Sequence, residues 1–393
     1  MKKRMIGELL QNYGTPFYVF DIGILKERIA YLRKHLKVDL CYAIKANTFI
    51  LKEINDHIDR FEVCSEGELS ICEHMQLPMS KLVISGVHKN PKIMRQLIER
   101  KENIGIYTIE SMNQYVLLKE AAKQNHCLIR LLLRLTSGNQ FGLNEEEIYG
   151  IIQDAVGNPY IEIKGIQYFS GTQKHSLKKL KREVSYLDEF LISVSDKTGF
   201  SIQELEFGPG LPVSYFESEE EDEESFLHEF SKMLESMTYK THVVLELGRS
   251  IAACCGYYLT KVVDVKVNKH QRYAIVDGGI HHLVYYGASM AMKHPKYEIY
   301  PARKHADAQS WNICGSLCTV NDILVKQLMV ADLSCDDVLV FKNTGAYCMT
   351  EGISLFLSHN LPTVIKVEED GSFCRIREAV RTDLINMPSG KGE

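Results

Sequence analysis

The stretch VDLCYAIKAN, Val38–Asn47, decides how this chain is read, because an apolar strand-like run ends directly on Lys45. A lysine in that place either caps a strand in solvent or points into a site. Outward from it, short β-like runs alternate with helix-like segments. The strand candidates are VDLCYAI ending at Ile44, RFEV ending at Val63, KLVIS ending at Ser85 and IGIYT ending at Thr108. CLIRLLLR ending at Arg134, KGIQYF ending at Phe169, QELEF ending at Phe207 and HVVLEL ending at Leu247 complete the set. Between them lie mixed segments at helical spacing, such as 66–74, 91–100, 111–124 and 177–196. Eight such units predict an α/β protein whose main part, residues 22–255, is a TIM-like (β/α)8 barrel.

From about Tyr257 the rhythm changes. YYLTKVVDVKV, RYAIVDG, DVLVFKN, PTVIKVEED and SFCRIREAV are β-type runs separated by turns, which predicts a C-terminal all-β domain over residues 256–393. The early run PFYVFD, 16–21, is also strand-like, so residues 1–21 are expected to join that domain. The acidic run EEEDEE, 219–224, reads as a solvated helix start favoured by the helix dipole.

At 393 residues, with 45% hydrophobic and 25% charged content, the chain has ample material for two globular domains. A formal net charge of -5 gives no basic field for nucleic acid or anionic membrane. Eleven cysteines without a CxxC pair fit a reducing cytosol, Cys127 and Cys374 reading as small hydrophobes within strand-like runs. No apolar run approaches the ~18 residues that span a bilayer, and a cytoplasmic protein is expected. His281 and His282, adjacent in a segment read as extended, would point to opposite faces, so no metal site is expected.

In a (β/α)8 barrel the reactive groups gather at the C-terminal strand ends. Lys45, Glu62 and Glu246 all stand there. A lysine desolvated in a barrel mouth favours the neutral amine that forms Schiff bases with carbonyls, which points to pyridoxal 5'-phosphate. Gly208 and Gly210 after strand seven, with Gly248 and Arg249 after strand eight, offer the loops where this architecture binds phosphate. Glu246 is placed to keep a pyridine nitrogen protonated, and Phe169, ending strand six, to lie against the ring.

The ordered motifs YAIKAN, FEVCSEGEL, GIQYFSGTQ, FGPGLPV, LELGRSIAA, IVDGGIHH, CGSLCTVND and NTGAYCM resemble those of the fold-type III pyridoxal-phosphate decarboxylases, the diaminopimelate and ornithine decarboxylase family with an alanine racemase-like fold. The resemblance spans nearly the whole chain. It implies that Lys45 carries the coenzyme and Glu246 pairs with the ring nitrogen. It implies that Gly210, Gly248, Arg249 and Tyr347 serve the phosphate region, with Thr172 as a hydroxyl donor. It implies that Cys318 protonates the product carbon across a homodimer interface. Arg249, Cys318, Thr319 and Tyr347 are then expected to face the substrate.

Several positions depart from that family pattern. Phe169 stands where the family stacks a histidine, and Pro209 interrupts a glycine triplet, deleting one backbone donor. Thr319 replaces an acidic residue that binds a distal ammonium, and DGGIHHLVYYG lacks the arginine that takes a distal carboxylate. VDGGIHH, LCT and GTQ are most similar to the subgroup acting on modified or carrier-protein-tethered amino acids, with a glutamyl thioester as the example. The competing substrate is free meso-diaminopimelate, decarboxylated to lysine. A racemase of the same fold would pair the ring nitrogen with arginine, where this chain has Glu246.

Overall fold

The computed structural model describes residues 3–219, 222–288, 290–302, 307–330 and 332–388. Eight parallel strands close into a barrel: β1 Asp39–Ala43, β2 Arg60–Val63, β3 Leu82–Ile84, β4 Ile106–Ile109, β5 Ile129–Leu135, β6 Ile161–Phe169, β7 Glu204–Gly208 and β8 His242–Leu247. Closure comes from β1 pairing on both sides, with Ala43 opposite Glu62 of β2 and Cys41 opposite Glu246 of β8. Side chains alternate along each strand, so residues two apart share a face. Cys41, Val83, Ile106, Leu132 and Val244 pack as one apolar layer. One step toward the C-terminal strand ends, the same alternation delivers Glu62, Ser85, Thr108 and Glu246. The mouth above this layer is polar, and the same interior also holds a buried charged cluster, Arg60 paired with Glu204 and standing 3.8 Å from the fully buried Glu206.

The helices between strands begin on side-chain caps. Ser65, Asn90, Ser111, Asn144 and Ser176 each accept a backbone N–H of the first turn. Glu220 and Glu221 of the acidic run lie outside the described residues. Asp222 caps Glu223–Glu235 by accepting from the Ser225 N–H at 3.0 Å.

The remaining strands form a separate mixed sheet. Phe17–Asp21 pairs antiparallel with Gly256–Asn268 and parallel with Thr363–Val367. Ile6 and Leu9 of helix Lys3–Asn12 pack with Phe17, Val19, Leu259, Val340 and Ile365 in its core. Strands Tyr297–Tyr300, Gln309–Cys314 and Ile323–Val330 belong to this sheet but were not read from the sequence. Tyr297–Tyr300 spans only four residues, and Gln309–Cys314 and Ile323–Val330 pair in a bulged register without clean alternation. Cys374 lies exposed on Phe373–Arg377 rather than acting as a core hydrophobe, and Cys127 is half-buried ahead of β5.

Two compact units result, one of Arg28–Pro212 with Asp222–Ile251, the other of Met1–Glu27, Val213–Glu221 and Ala252–Glu393. Residues 22–27, 213–221 and 252–255 thus fall with the sheet, not with the barrel domain expected over 22–255. Hydrogen bonds within that unit fix the second segment: Asn343 Nδ2 donates to the Ser214 carbonyl at 2.9 Å and the Glu217 N–H to the His294 carbonyl at 2.9 Å. Among the described residues no helix is long and apolar enough to cross a membrane, and no group of three or more His, Cys, Asp or Glu forms a metal cage.

The histidine pair overturns its reading as alternating faces of a strand. His281 and His282 occupy a turn in which the His282 and Leu283 N–H groups both donate to the Gly279 carbonyl at 3.0 Å. Their rings lie 3.8 Å apart and both residues are buried. Burial pulls His281 down to about 3 and His282 down to about 4. Neither His281 ring nitrogen has a hydrogen-bond partner among the described residues. Because each ring binds protons more weakly folded than unfolded, the unfolded chain gains protons as pH falls through about 6.5, and the folded state loses stability from there downward. The loss is on the order of 2 kcal/mol per ring at about pH 5. Urea denaturation at about pH 7.5 and pH 5 should show the drop smaller by roughly that amount in His281→Phe. An equal drop in both proteins would disprove it.

Candidate active site

Lys45 occupies a tight turn, Ile44–Ala46, immediately after β1. Ile44 and Ala46 are buried on either side of it, and the Tyr42 hydroxyl donates to the Asn47 carbonyl at 3.1 Å. The lysine Nζ donates to Glu62 Oε2 at 2.7 Å and stands 3.6 Å from Glu246 Oε1 and 3.8 Å from Cys64 Sγ. The Lys45 side chain is 40% exposed while those of Glu62 and Glu246 are 3% and 6% exposed. The expected desolvated amine is thus found beside two desolvated carboxylates instead. The lysine sits on the turn beyond the strand, where the mouth is open, and the carboxylates lie on the strands themselves.

Two carboxyl groups this close share a proton rather than both ionising. Burial pushes both upward. For Glu62 the Lys45 ammonium, 2.7 Å away, outweighs burial and holds it well below the usual carboxylate range. For Glu246 burial and the ionised Glu62 together drive it well above the carboxylate range. Glu62, the nearer to the ammonium, is biased toward the carboxylate and Glu246 toward the acid.

The loops after β6, β7 and β8 form the second half of the barrel site. Gly210 adopts φ +63°, and a Cβ there would lie 2.1 Å from the Gly171 carbonyl oxygen, so only glycine lets the β7 loop lie against the β6 loop. The Lys174 N–H donates to the Gly210 carbonyl at 2.9 Å. Arg249, buried, donates from Nε to Thr172 Oγ1 at 3.4 Å. Phe169 lies over Gly208, whose Cβ would meet the ring at 2.5 Å. Gly248 follows β8 and its carbonyl accepts the Ile251 N–H at 3.2 Å.

These groups fit a pyridine-aldehyde phosphate. An amine, a neutral acid that can protonate a ring nitrogen, and a basic, glycine-lined pair of loops for a phosphate all lie at one barrel mouth. The residues expected there and brought together are Lys45 with Glu62 and Glu246, and Thr172 with Arg249, Gly208, Gly210 and Phe169.

Cys318, Thr319 and Tyr347 belong to the sheet unit. Cys318 is exposed on a turn built around Asp322, a residue the sequence reading did not single out. One Asp322 oxygen accepts the Ile280 N–H at 2.8 Å and the other the Leu317 N–H at 2.7 Å. A Cβ on Gly279 or Gly315 would strike that carboxylate, which explains the glycines of both IVDGGIHH and CGSLCTVND. Tyr347 is half-buried with φ +64°, its carbonyl accepting the Thr350 N–H at 2.7 Å. Ser85 was missed too, although it ends its strand run in the inward register of Glu62.

The family model described as pyridoxal-dependent decarboxylase, C-terminal sheet domain, of the ornithine/diaminopimelate/arginine decarboxylase group, matches residues 17–345. A diaminopimelate decarboxylase from Aquifex aeolicus is 27% identical, covering 97% of this chain and 93% of that protein. An L-glutamyl-[BtrI acyl-carrier protein] decarboxylase from Niallia circulans is 26% identical over 97% of this chain and 95% of its own. A 2-[(L-alanin-3-ylcarbamoyl)methyl]-2-hydroxybutanedioate decarboxylase from Staphylococcus aureus is 26% identical over 90% and 94%. A solved Aquifex aeolicus structure superposes with TM-score 0.84 at 26% identity, covering 97% of this chain and 93% of that one.

Gly210→Ala must displace the β6 loop or the β7 loop. Its affinity for pyridoxal 5'-phosphate, measured by fluorescence titration, should fall at least about tenfold, while affinity for unphosphorylated pyridoxal changes little. Equal losses for both compounds would remove the phosphate role.

Proposed function

The chain belongs to the pyridoxal-dependent ornithine/diaminopimelate/arginine decarboxylase family, and from that premise we propose that it removes the α-carboxylate of a modified or carrier-protein-tethered amino acid, such as a glutamyl thioester. The observation that carries the chemistry is Lys45 Nζ between Glu62 and Glu246. Support for the substrate class comes from the Cys318 turn. Residues 316–320, Ser-Leu-Cys-Thr-Val, carry no acidic side chain, and Thr319 Oγ1 accepts the Asn321 N–H at 3.3 Å. Asp322, the nearest carboxylate in sequence, is buried with both oxygens taken by backbone N–H groups. A distal ammonium would find no counter-charge on this turn, and a site without the partner rejects such a group by several kcal/mol. A neutral amide or thioester linkage has no such need.

Bound pyridoxal 5'-phosphate withdraws electrons from the bond between Cα and the carboxylate. The chain's own residues do the rest. Lys45 supplies the amine that holds the coenzyme and gives way to the substrate amine, while Glu62 keeps that amine in place. Glu246 holds a proton on its carboxyl and delivers it to a ring nitrogen, becoming the facing carboxylate. Thr172, Gly208, Gly210, Gly248 and Arg249 fix the phosphate, and Phe169 supports the ring face. Cys318 returns one proton to Cα in place of the lost CO2, acting from the second subunit of a homodimer. Its turn ends in Val320, 89% exposed, an apolar tip that a second copy would cover.

CO2 release should be about 100-fold or more faster, as kcat/KM, on a glutamyl-carrier thioester than on free diaminopimelate, lysine or ornithine, and Lys45→Ala should lose it. Rapid turnover of free diaminopimelate with none of the thioester would establish the competing lysine-forming reaction. Subunit sharing has its own check. Mixing Lys45→Ala with Cys318→Ala should restore about a quarter of wild-type activity, because mixed dimers retain one intact site. No restoration after verified subunit exchange would place Cys318 outside the partner's site.

A further inference from the structure

We propose that Lys174 is a positioning residue for the coenzyme phosphate: its backbone and side chain lock the loop after β6, so that Thr172 is held beside Arg249 and the β7 loop. The inference deepens the site reading above and rests on it.

The loop runs from Phe169, the last residue of β6, to Leu177, the first of helix Leu177–Thr198. Thr172 sits between two residues with left-handed backbone, Gly171 at φ +128° and Gln173 at φ +54°. Glycine takes such angles freely, but a glutamine does so only where its surroundings compel it. A loop of this shape needs a fastening, and the residue after Gln173 supplies one.

Lys174 makes three contacts, each to a different segment of the barrel unit. Its backbone N–H donates to the Gly210 carbonyl at 2.9 Å, on the loop after β7. Its Nζ donates to Ser170 Oγ at 2.5 Å, at the start of its own loop, and to Glu183 Oε2 at 2.6 Å, in the second turn of the helix. The side chains of Lys174 and Glu183 are 9% and 20% exposed, so this pair is shielded from solvent, unlike exposed pairs that contribute little. Removing either partner would leave the other charge largely buried and uncompensated. Ser170 and Lys174 are thus drawn together into a closed arch, with Thr172 midway along it.

What the arch carries gives its rigidity a use. Thr172 Oγ1 accepts from Arg249 Nε at 3.4 Å, and Thr172 Cα lies 2.9 Å from where a Cβ on Gly210 would stand. One short loop therefore brings together the hydroxyl, the guanidinium and the glycine turn on which the phosphate reading depends. Pro209 has no N–H to offer there, which leaves more of the hydrogen bonding to side chains whose placement matters. The Lys174 charge is already spent on Glu183, so the residue acts through Thr172 and not on the anion.

The test reads coenzyme binding and needs no substrate. Affinities of the wild type, Lys174→Met and Glu183→Gln for pyridoxal 5'-phosphate and for unphosphorylated pyridoxal are measured by fluorescence titration, together with the covalent absorption of the loaded protein. Both variants should bind pyridoxal 5'-phosphate about tenfold more weakly, while their affinity for pyridoxal stays within about twofold of the wild type. Saturating coenzyme should restore the full absorption. In a Thr172→Val background, Lys174→Met should cost no further affinity. Equal losses for both compounds would overturn the proposal, as would losses that add in full with Thr172→Val, or a lower melting temperature with both affinities unchanged. Tighter phosphate binding by Glu183→Gln would sink it too, since the released ammonium would then be acting on the anion by its charge. Failure of the underlying site reading looks different: the wild type then shows no covalent coenzyme absorption, or Lys45→Ala keeps it.

Discussion

Closure of the barrel between β1 and β8 is the constraint on which the site depends. It places one lysine, carried by the turn after β1, between carboxylates from the strands on either side, Glu62 on β2 and Glu246 on β8. Neither carboxylate would be stable alone at 3% to 6% side-chain exposure. Set together around one ammonium, their proton affinities are pushed apart, Glu62 downward and Glu246 upward. Pairing by backbone register, rather than side-chain preference, thereby brings amine and acids together in the barrel mouth.

Elsewhere the functional segments are held by close backbone approach. Gly210 lets two loops meet within the barrel unit, and Gly279 with Gly315 lets two turns close over Asp322 within the sheet unit. In each case a missing side chain is filled by a neighbour's backbone or carboxylate. Pro209 costs the β7 loop an N–H, and the Arg249–Thr172 contact provides a side-chain donor on the neighbouring loops. The Cys318 turn offers hydroxyl and backbone groups instead of charge.

The barrel was legible because its strands are short apolar runs at regular intervals, and Lys45, Glu62 and Glu246 stood out as charges at their ends. The later strands were not legible. Gln309–Cys314 pairs with Gln271–Val276, well before it in the chain, and its pairing with the following Ile323–Val330 is interrupted by bulges. The histidine pair failed for a related reason, since a turn puts two adjacent rings on one side where an extended segment would separate them. Cys374 failed because a strand at the sheet edge can bear a small apolar residue in solvent.

By itself the sequence determined the two-part architecture, the amine and acids of the site, and the order of motifs that tie the chain to its family, since these rest on local periodicity and residue chemistry. The tertiary structure alone decided that Lys45 stands nearer Glu62 than Glu246, that the two histidine rings are buried side by side, and that Asp322 is spent on backbone groups. Those outcomes depend on burial and on distances between residues far apart along the chain, quantities that exist only once the strands have closed.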